Sequence, residues 1–324
     1  MISVVIPNFN GERLLKYYLA KNLTCLESYG ITDVIVVDDG STDESVLYLQ
    51  THFPQVRVIR NQERMSFSKS CNRGASVAKE SILLFLNNDM QIEHLDIPFI
   101  TTTLEREDVF SVSGAIYRKN EQGESYNEAL SLGFFSGGWL SSENVPDLEK
   151  WADEPRGMPL LWTCGGAMFV RREKFEELSG FDPLFWPFYV EDLDLCYRAW
   201  KKGWSSVYHP TTVCLHQHQS TIGQYFSRQQ IELIGLKNKY LFIWKNVRQR
   251  RLLASHFLMA VVKLLTFQVK DTRVMLNLLW NIRDIWSARC SNGPEFKTDM
   301  EILAPFKPYV KRFLKERRRS KRRR

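Results

Sequence analysis

Several familiar signatures are missing from this 324-residue chain. Its six cysteines (Cys25, Cys71, Cys164, Cys196, Cys214, Cys290) include no C-x-x-C pair and no short metal-ligand spacing. Neither a disulfide framework nor a zinc site is indicated, and reduced thiols in a cytoplasmic protein are expected. Gly-x-Gly-x-x-Gly and Walker A patterns are both absent, which removes ordinary dinucleotide and P-loop readings. No apolar run reaches the ~20 residues of a spanning helix. The candidate at residues 252–267 is apolar nearly all round but contains His256 and Lys263, so a core or interfacial helix is expected. The chain opens on a strand-like run, residues 2–6, without the basic segment and long apolar core of a signal peptide, and cytoplasmic residence is the expectation.

Net charge is also less informative than it looks. The total is +7, but residues 301–324 hold 11 Lys/Arg against Glu301 and Glu316, leaving 33 basic and 35 acidic residues elsewhere. A nearly neutral body therefore carries a basic tail. With 44% apolar residues the body can bury a sizeable core.

From Met1 to Asp89, β-branched runs alternate with segments of helical period, the pattern of repeated βα units and a mostly parallel sheet flanked by helices. Ligands in such sheets sit beyond the carboxyl ends of the strands. Three apolar runs end in acids: residues 34–37 before Asp38-Asp39, residues 82–86 before Asn87-Asn88-Asp89, and residues 185–190 before Glu191-Asp192. All three are read as buried strands. Uncompensated burial of that much charge would cost several kcal/mol, so these ends are expected to hold a cation or move a proton. Asp38-Asp39-Gly40-Ser41 reads as a strand-to-helix turn; its acids either cap the turn or accept hydrogen bonds from a nucleotide's base or ribose. One carboxylate with carboxamide neighbours, Asp89, suits magnesium or manganese shared with phosphates.

Farther along, residues 118–160 are rich in Gly, Ser, Asn and Glu without sustained period and are expected to run over the surface as a cover for substrate. Helices are expected over 171–178, over 191–202 ending at Gly203, over 225–246 and over 252–267. The expected organisation is a catalytic domain over 1–222, a helical region over 223–300 and the basic tail over 301–324.

Taken in order, several motifs resemble family 2 glycosyltransferases, particularly the bacterial rhamnosyltransferase-like branch. They are Val4-Val5-Ile6-Pro7-Asn8-Phe9-Asn10-Gly11, Val37-Asp38-Asp39-Gly40-Ser41, Asn72-Arg73-Gly74, Leu86-Asn87-Asn88-Asp89 and Cys164-Gly165-Gly166-Ala167. Arg171-Arg172, Gly180-Phe181-Asp182, Glu191 through Arg198 and Lys237-Asn238 follow. The resemblance implies a GT-A fold, a nucleoside-diphosphate sugar donor, a divalent metal (Mg2+ or Mn2+) and inverting transfer to a glycan or lipid-linked acceptor.

The resemblance also implies roles. Asp89 would be the metal-binding acid of a degenerate D-x-D motif, completed by a histidine for which His216 has the best spacing and His218 remains open. Pro7, Asn8, Asn10, Asp38, Asp39, Asn72 and Asn88 would contact the nucleotide sugar. Asp192 would be the general base with Glu191 beside it, and Gly165, Gly166 and Trp186 would meet the acceptor. The family often has glycine where Ser66 stands. Trp162, Phe185, Phe188 and Tyr189 are the other aromatic candidates for the acceptor face, although such residues beside a strand more often belong to a core. Asp194 is expected to be structural.

Two rival readings differ in class. A sugar nucleotidyltransferase would need a basic, glycine-rich loop near the N-terminus, and residues 7–11 supply no Lys or Arg. A non-catalytic nucleotide-sugar binder would not need Asp89, Glu191 and Asp192 together. The tail has no aromatic residue after Phe313, which argues against nucleic acid; attraction to anionic lipid headgroups, at roughly 1 kcal/mol per basic residue, fits it better. Peripheral attachment to the inner face of the cell membrane is the resulting expectation.

Overall fold

The Val- and Ile-rich runs at the start of the chain have no polar face, so they are stable only where both faces of their sheet are covered. In the computed structural model, which describes residues 1–120, 122–145, 157–216, 221–291 and 293–321, they are. Strands β1 (Ile2–Asn8), β2 (Asp33–Asp38), β3 (Arg57–Arg60) and β4 (Ile82–Leu86) pair in parallel in the order β3-β2-β1-β4. Helices α1 (Glu12–Ser28), α2 (Ser45–His52) and α3 (Phe67–Val77) make the crossovers. α1 buries Leu15, Leu19, Leu23 and Leu26 at helical spacing. α3 lies close on the sheet because Gly74 has no side chain: a Cβ there would stand 2.4 Å from Val5 Cγ1.

The second half of the sheet is mixed. β5 (Met90–His94), α4 (Ile97–Glu105), β6 (Val109–Lys119), β7 (Ser125–Asn127), β8 (Ser131–Ser136), β9 (Trp139–Asn144), β10 (Met158–Leu160), β11 (Ala167–Arg171), α5 (Arg172–Glu177), α6 (Glu191–Lys201) and β12 (Ser205–His216) follow. β11 runs antiparallel between β4 and β6, and β12 runs parallel to β6. The continuous order is β10-β12-β6-β11-β4-β1-β2-β3, with β5 beside β12. The mostly parallel α/β sheet expected from the sequence is present, and β11 brings the 164–167 segment against the end of β4.

Two expectations are corrected. Described residues within 118–160 are not an irregular excursion: they form β7 to β10, Leu130 and Leu132 are fully buried, and β8 and β9 make a two-stranded sheet of their own, while residues 121 and 146–156 of that span lie outside the described residues. Their apolar alternation is interrupted in sequence by glycines that the packing uses, as at Gly133, where a Cβ would meet Leu161. Residues 185–190 are not a strand. Pro183–Phe185 is a 3-10 turn, the Trp186–Pro187 peptide is cis, and Tyr189 and Val190 are left-handed, at φ 74° and 75°. Pro183 and Pro187 cannot donate to a ladder. The carbonyls of Phe185, Phe188 and Tyr189 instead accept hydrogen bonds at 2.9 to 3.0 Å from one buried amide, Asn238.

Helices form the rest: α7 (Thr221–Tyr225), α8 (Arg228–Asn246), α9 (Arg250–Leu265), α10 (Val269–Trp280), α11 (Ile282–Ser291), α12 (Asp299–Leu303) and α13 (Lys307–Lys321). The single helix expected over 225–246 is split because Ser227 and Gln230 form a capping box that starts α8 afresh. None of the helices among the described residues is long and apolar enough to cross a membrane. Asp194, fully buried in α6, accepts from Arg198, Lys245 and Asn246, and Lys245 also pairs with Asp182 at 2.6 Å. Asp299 does the same one turn on, taking Lys201 and the Tyr197 hydroxyl. The helical region is thereby tied to α6 by buried charge as well as by apolar contact.

Candidate active site

The carboxyl ends of β1, β2 and β4 lie side by side, and their polar residues form one connected chain. Asn8 donates to Asp38 Oδ2 at 3.1 Å and accepts from Asn88 at 2.8 Å. Asp38 also accepts from the Ser41 amide at 3.0 Å. Asn10 accepts from the Thr42 amide at 2.7 Å and donates to the Tyr225 hydroxyl at 2.7 Å, so α7 closes over this corner. Arg64 lies 4.2 Å from the centroid of the Phe9 ring and within 6 Å of Tyr225 and Phe226.

The Asp39 oxygens accept from Asn61, Ser70 and the amides of Met65 and Ser66, which shapes the 61–66 loop; three of these bonds fall on Oδ1, and Oδ2, with the Ser66 amide, keeps room for a further donor. Asn72 is likewise engaged at both ends, with the Phe181 backbone at 2.8 and 2.9 Å, so it joins α3 to the turn before α6. Pro7 sits at the mouth of the same corner, half-buried.

At the end of β4, Asp89 Oδ2 is 3.3 Å from His216 Nε2, while Oδ1 is buried with no hydrogen-bond partner. His216 is oriented by Glu128 on its other nitrogen. Burial alone would lower the His216 pKa, but hydrogen bonds and charge from Asp89 and Glu128 raise it to about 9. An orphaned carboxylate oxygen beside an imidazole fits a divalent cation, which Asp89 would hold together with His216 once the cation displaces the proton from its Nε2. Among the described residues no group of three or more metal-ligating side chains is present. A hard cation shared with a diphosphate needs no more, since phosphate and water oxygens fill its remaining positions. His218 lies outside the described residues.

The third cluster is at the start of α6. Two successive left-handed residues, a conformation that costs a non-glycine residue on the order of 1 kcal/mol or more, aim the helix N-terminus at Gly165. The Gly165 amide donates to Asp192 Oδ2 at 3.2 Å and the Leu193 amide to Oδ1 at 2.8 Å. Burial pushes Glu191 well above the usual carboxylate range, and the charge of Asp192 adds to it. Burial raises Asp192 only to about 6, because the amides of Gly165 and Leu193 favour its ionised form. Of the two, Asp192 is the carboxyl held toward its ionised form, with a backbone amide on each of its oxygens. Gly166 lets the 164–167 turn approach β4: a Cβ there would stand 2.8 Å from Asn87 Nδ2.

Glu191 and Asp192 form part of the wall of a cavity of about 720 Å³. Its other walls are Trp139, Leu140 and Ser141 of β9, Trp162, Tyr189, Leu236 and Lys239 of α8, and Lys263 of α9. Trp186 is exposed and is not among them, with its carbonyl accepting from Lys237; Phe185 and Phe188 are core. Sequence reasoning missed Trp139, Lys239, Lys263, Arg64 and Tyr225. The aromatic ones had no periodicity to mark them, and the lysines are ordinary helix-surface residues until the fold brings them to the cavity.

Known proteins resemble this chain in sequence and in fold. The chain is 25% identical over 244 residues to the N-acetylglucosaminyl-diphospho-decaprenol L-rhamnosyltransferase of Mycobacterium tuberculosis, covering 69% of this chain and 78% of that protein. It is 26% identical over 226 residues to N-acetylgalactosaminyltransferase 7 of Drosophila melanogaster, covering 64% of this chain but only 38% of the relative. The solved structure of GalNAc-T7 with UDP, GalNAc and Mn2+ matches with a TM-score of 0.59 at 18% identity, over 76% of this chain and 48% of that one. The mannosyltransferase PcManGT of Pyrobaculum calidifontis, in complex with GDP-Man and Mn2+, matches with a TM-score of 0.51 at 14% identity, over 90% and 84%. At these identities the structural matches establish the fold, which is GT-A. The profile of Glycosyl transferase family group 2 matches residues 150–287. That of Glycosyl transferase family 2 matches residues 3–179, more than half of the chain, and to that family the chain belongs.

Proposed function

We propose that this glycosyltransferase carries out inverting, metal-assisted transfer from a nucleoside-diphosphate sugar to a hydroxyl of a lipid-linked glycan during polysaccharide synthesis. The observation that carries the reading is the placement of Glu191 and Asp192, the latter held by the Gly165 and Leu193 amides, at the wall of a cavity large enough for a sugar acceptor. Asp192 takes the proton of the acceptor hydroxyl as its oxygen attacks the anomeric carbon, and the bond to the diphosphate oxygen breaks with its electron pair leaving on the diphosphate. One base is sufficient, because a diphosphate leaves without the protonation that a glycosidase must supply. A divalent cation held by Asp89 and His216 would offset the charge gathering on that leaving group.

The donor lies along the connected edge: base and ribose toward Pro7, Asn10, Asp38 and Tyr225, and diphosphate toward Asn88 and Asp89. The acceptor enters from the far side, against Trp139 and Trp162, whose faces suit a sugar ring, with Gly165 and Gly166 framing the approach. Lys239 suits an acceptor that carries phosphate, whereas Lys263 is paired with Asp271, and the mycobacterial relative is named for a diphospho-linked acceptor. Asp192→Asn should lower kcat by about 10²- to 10⁴-fold while leaving donor affinity within a few-fold; near-normal turnover would remove Asp192 from the base role. Full activity of the wild type in excess chelator would remove the cation.

A further inference from the structure

We infer that the solvent-facing side of α9, α10 and α11 is a docking surface for an anionic phospholipid bilayer. Helix α9 turns His256 and Ala260 inward. Its opposite side presents Leu258, Val261 and Leu265 at three- and four-residue spacing, with Leu265 72% exposed. Helix α10 repeats the arrangement: Val274, Met275 and Leu278 face inward, and Val269, Leu276 and Trp280 face out, the last 89% exposed. Phe267, 87% exposed, caps the connection between the two, and α11 adds Ile282 and Trp286. Two successive helices that are apolar on the water side as well as the core side are unusual for a surface that only meets solvent.

Charge identifies the occupant. Residues 247–291 contain eight Lys/Arg and only Asp271 and Asp284 as acids. Asp271 is buried and bonded to Tyr240 and Lys263, which leaves Asp284 as the one exposed acid of this stretch beside exposed Arg250, Arg251, Arg273 and Arg283. Apolar side chains with interfacial tryptophans, rimmed by long cationic ones, match an acyl boundary beneath anionic headgroups. A second copy would bring the same basic rim against itself across a two-fold axis. The helices lie on the surface rather than cross it, since none is long and apolar enough to span. The site reading above adds one consequence: α9 lines the acceptor cavity through Lys263 while its other side would rest on lipid, so a lipid-borne acceptor would meet the cavity from the bilayer.

The test is flotation of the full chain with vesicles of phosphatidylglycerol and phosphatidylcholine in equal parts, against vesicles of phosphatidylcholine alone. Wild-type protein should float with the anionic vesicles and stay below with the neutral ones. The triple variant Leu258→Ser, Leu265→Ser, Trp280→Ser should lose at least tenfold of the bound fraction while its circular dichroism melt stays unchanged. Equal flotation of the triple variant overturns the proposal. So does a lipid-free dimer that the triple variant converts to monomer, which would make the face an interface between copies. Flotation does not depend on turnover, so its failure leaves the catalytic reading standing, and failure of the Asp192→Asn test leaves the surface standing.

Discussion

Ser66 shows how much a single backbone position can carry. Its φ of 119° and ψ of 165° lie in a region open essentially to glycine, at a cost on the order of 1–3 kcal/mol for any other residue. Its hydroxyl is buried without a partner, and its amide is needed by Asp39. Ser66→Gly should therefore stabilise the fold by about 1 kcal/mol once the extra freedom of the unfolded glycine is subtracted. Ser66→Ala, which keeps the strained backbone, should gain less, and thermal melts of the two variants decide it. Asp192 gives the pH counterpart. A base raised to about 6 loses its ionised form as pH falls through that value, so kcat/KM should drop about tenfold for each unit below it. The same shift acts in the other sense on stability, because the folded carboxyl holds its proton more tightly than the unfolded one: its contribution is present below the unfolded value and is lost as pH rises through about 6.

Among the elements, the loop from Phe185 to Val190 depends most on a distant partner. Asn238→Ala would strand three carbonyls at once and release two left-handed residues from the conformation that aims α6. A loss of roughly 2–4 kcal/mol is expected, with a fall in kcat exceeding any change in donor affinity; denaturant unfolding and steady-state kinetics would show it. This loop also marks where the sequence stops being readable. β1, β2 and β4 are legible because continuous Val, Ile and Leu runs can be satisfied only as buried strands, and Asp38, Asp89 and Asp192 are legible because acids follow apolar residues. The run before Glu191 is aromatic and interrupted by Pro187, a local sign against a strand, but the partner that fixes its backbone is a side chain about fifty residues along the chain, and no local pattern encodes that. β8 and β9 were hidden for a related reason: their glycines signal a loop locally, whereas in the fold they make room for Leu161 and for α9.

For the whole molecule, the buried charges between α6 and the later helices decide whether the two parts can be separated. Lys245 is almost wholly buried and neutralises both Asp194 and Asp182. Lys245→Met leaves these acids without it in a dry site and should cost about 3–5 kcal/mol. Adding Asp194→Asn should recover part of the loss, as a double-mutant cycle on chemical denaturation would reveal. Residues 1–226 alone should fail to fold, for the same reason.

The β8–β9 hairpin belongs to neither the donor edge nor the helical region. It forms a sheet of its own, and Trp139, Leu140 and Ser141 at its tip contribute one whole side of the acceptor cavity. On the function proposed above, acceptor preference should therefore travel with this hairpin. Exchanging residues 134–141 for the equivalent hairpin of a relative would recast which glycan is extended, while the chain went on drawing from the same sugar supply.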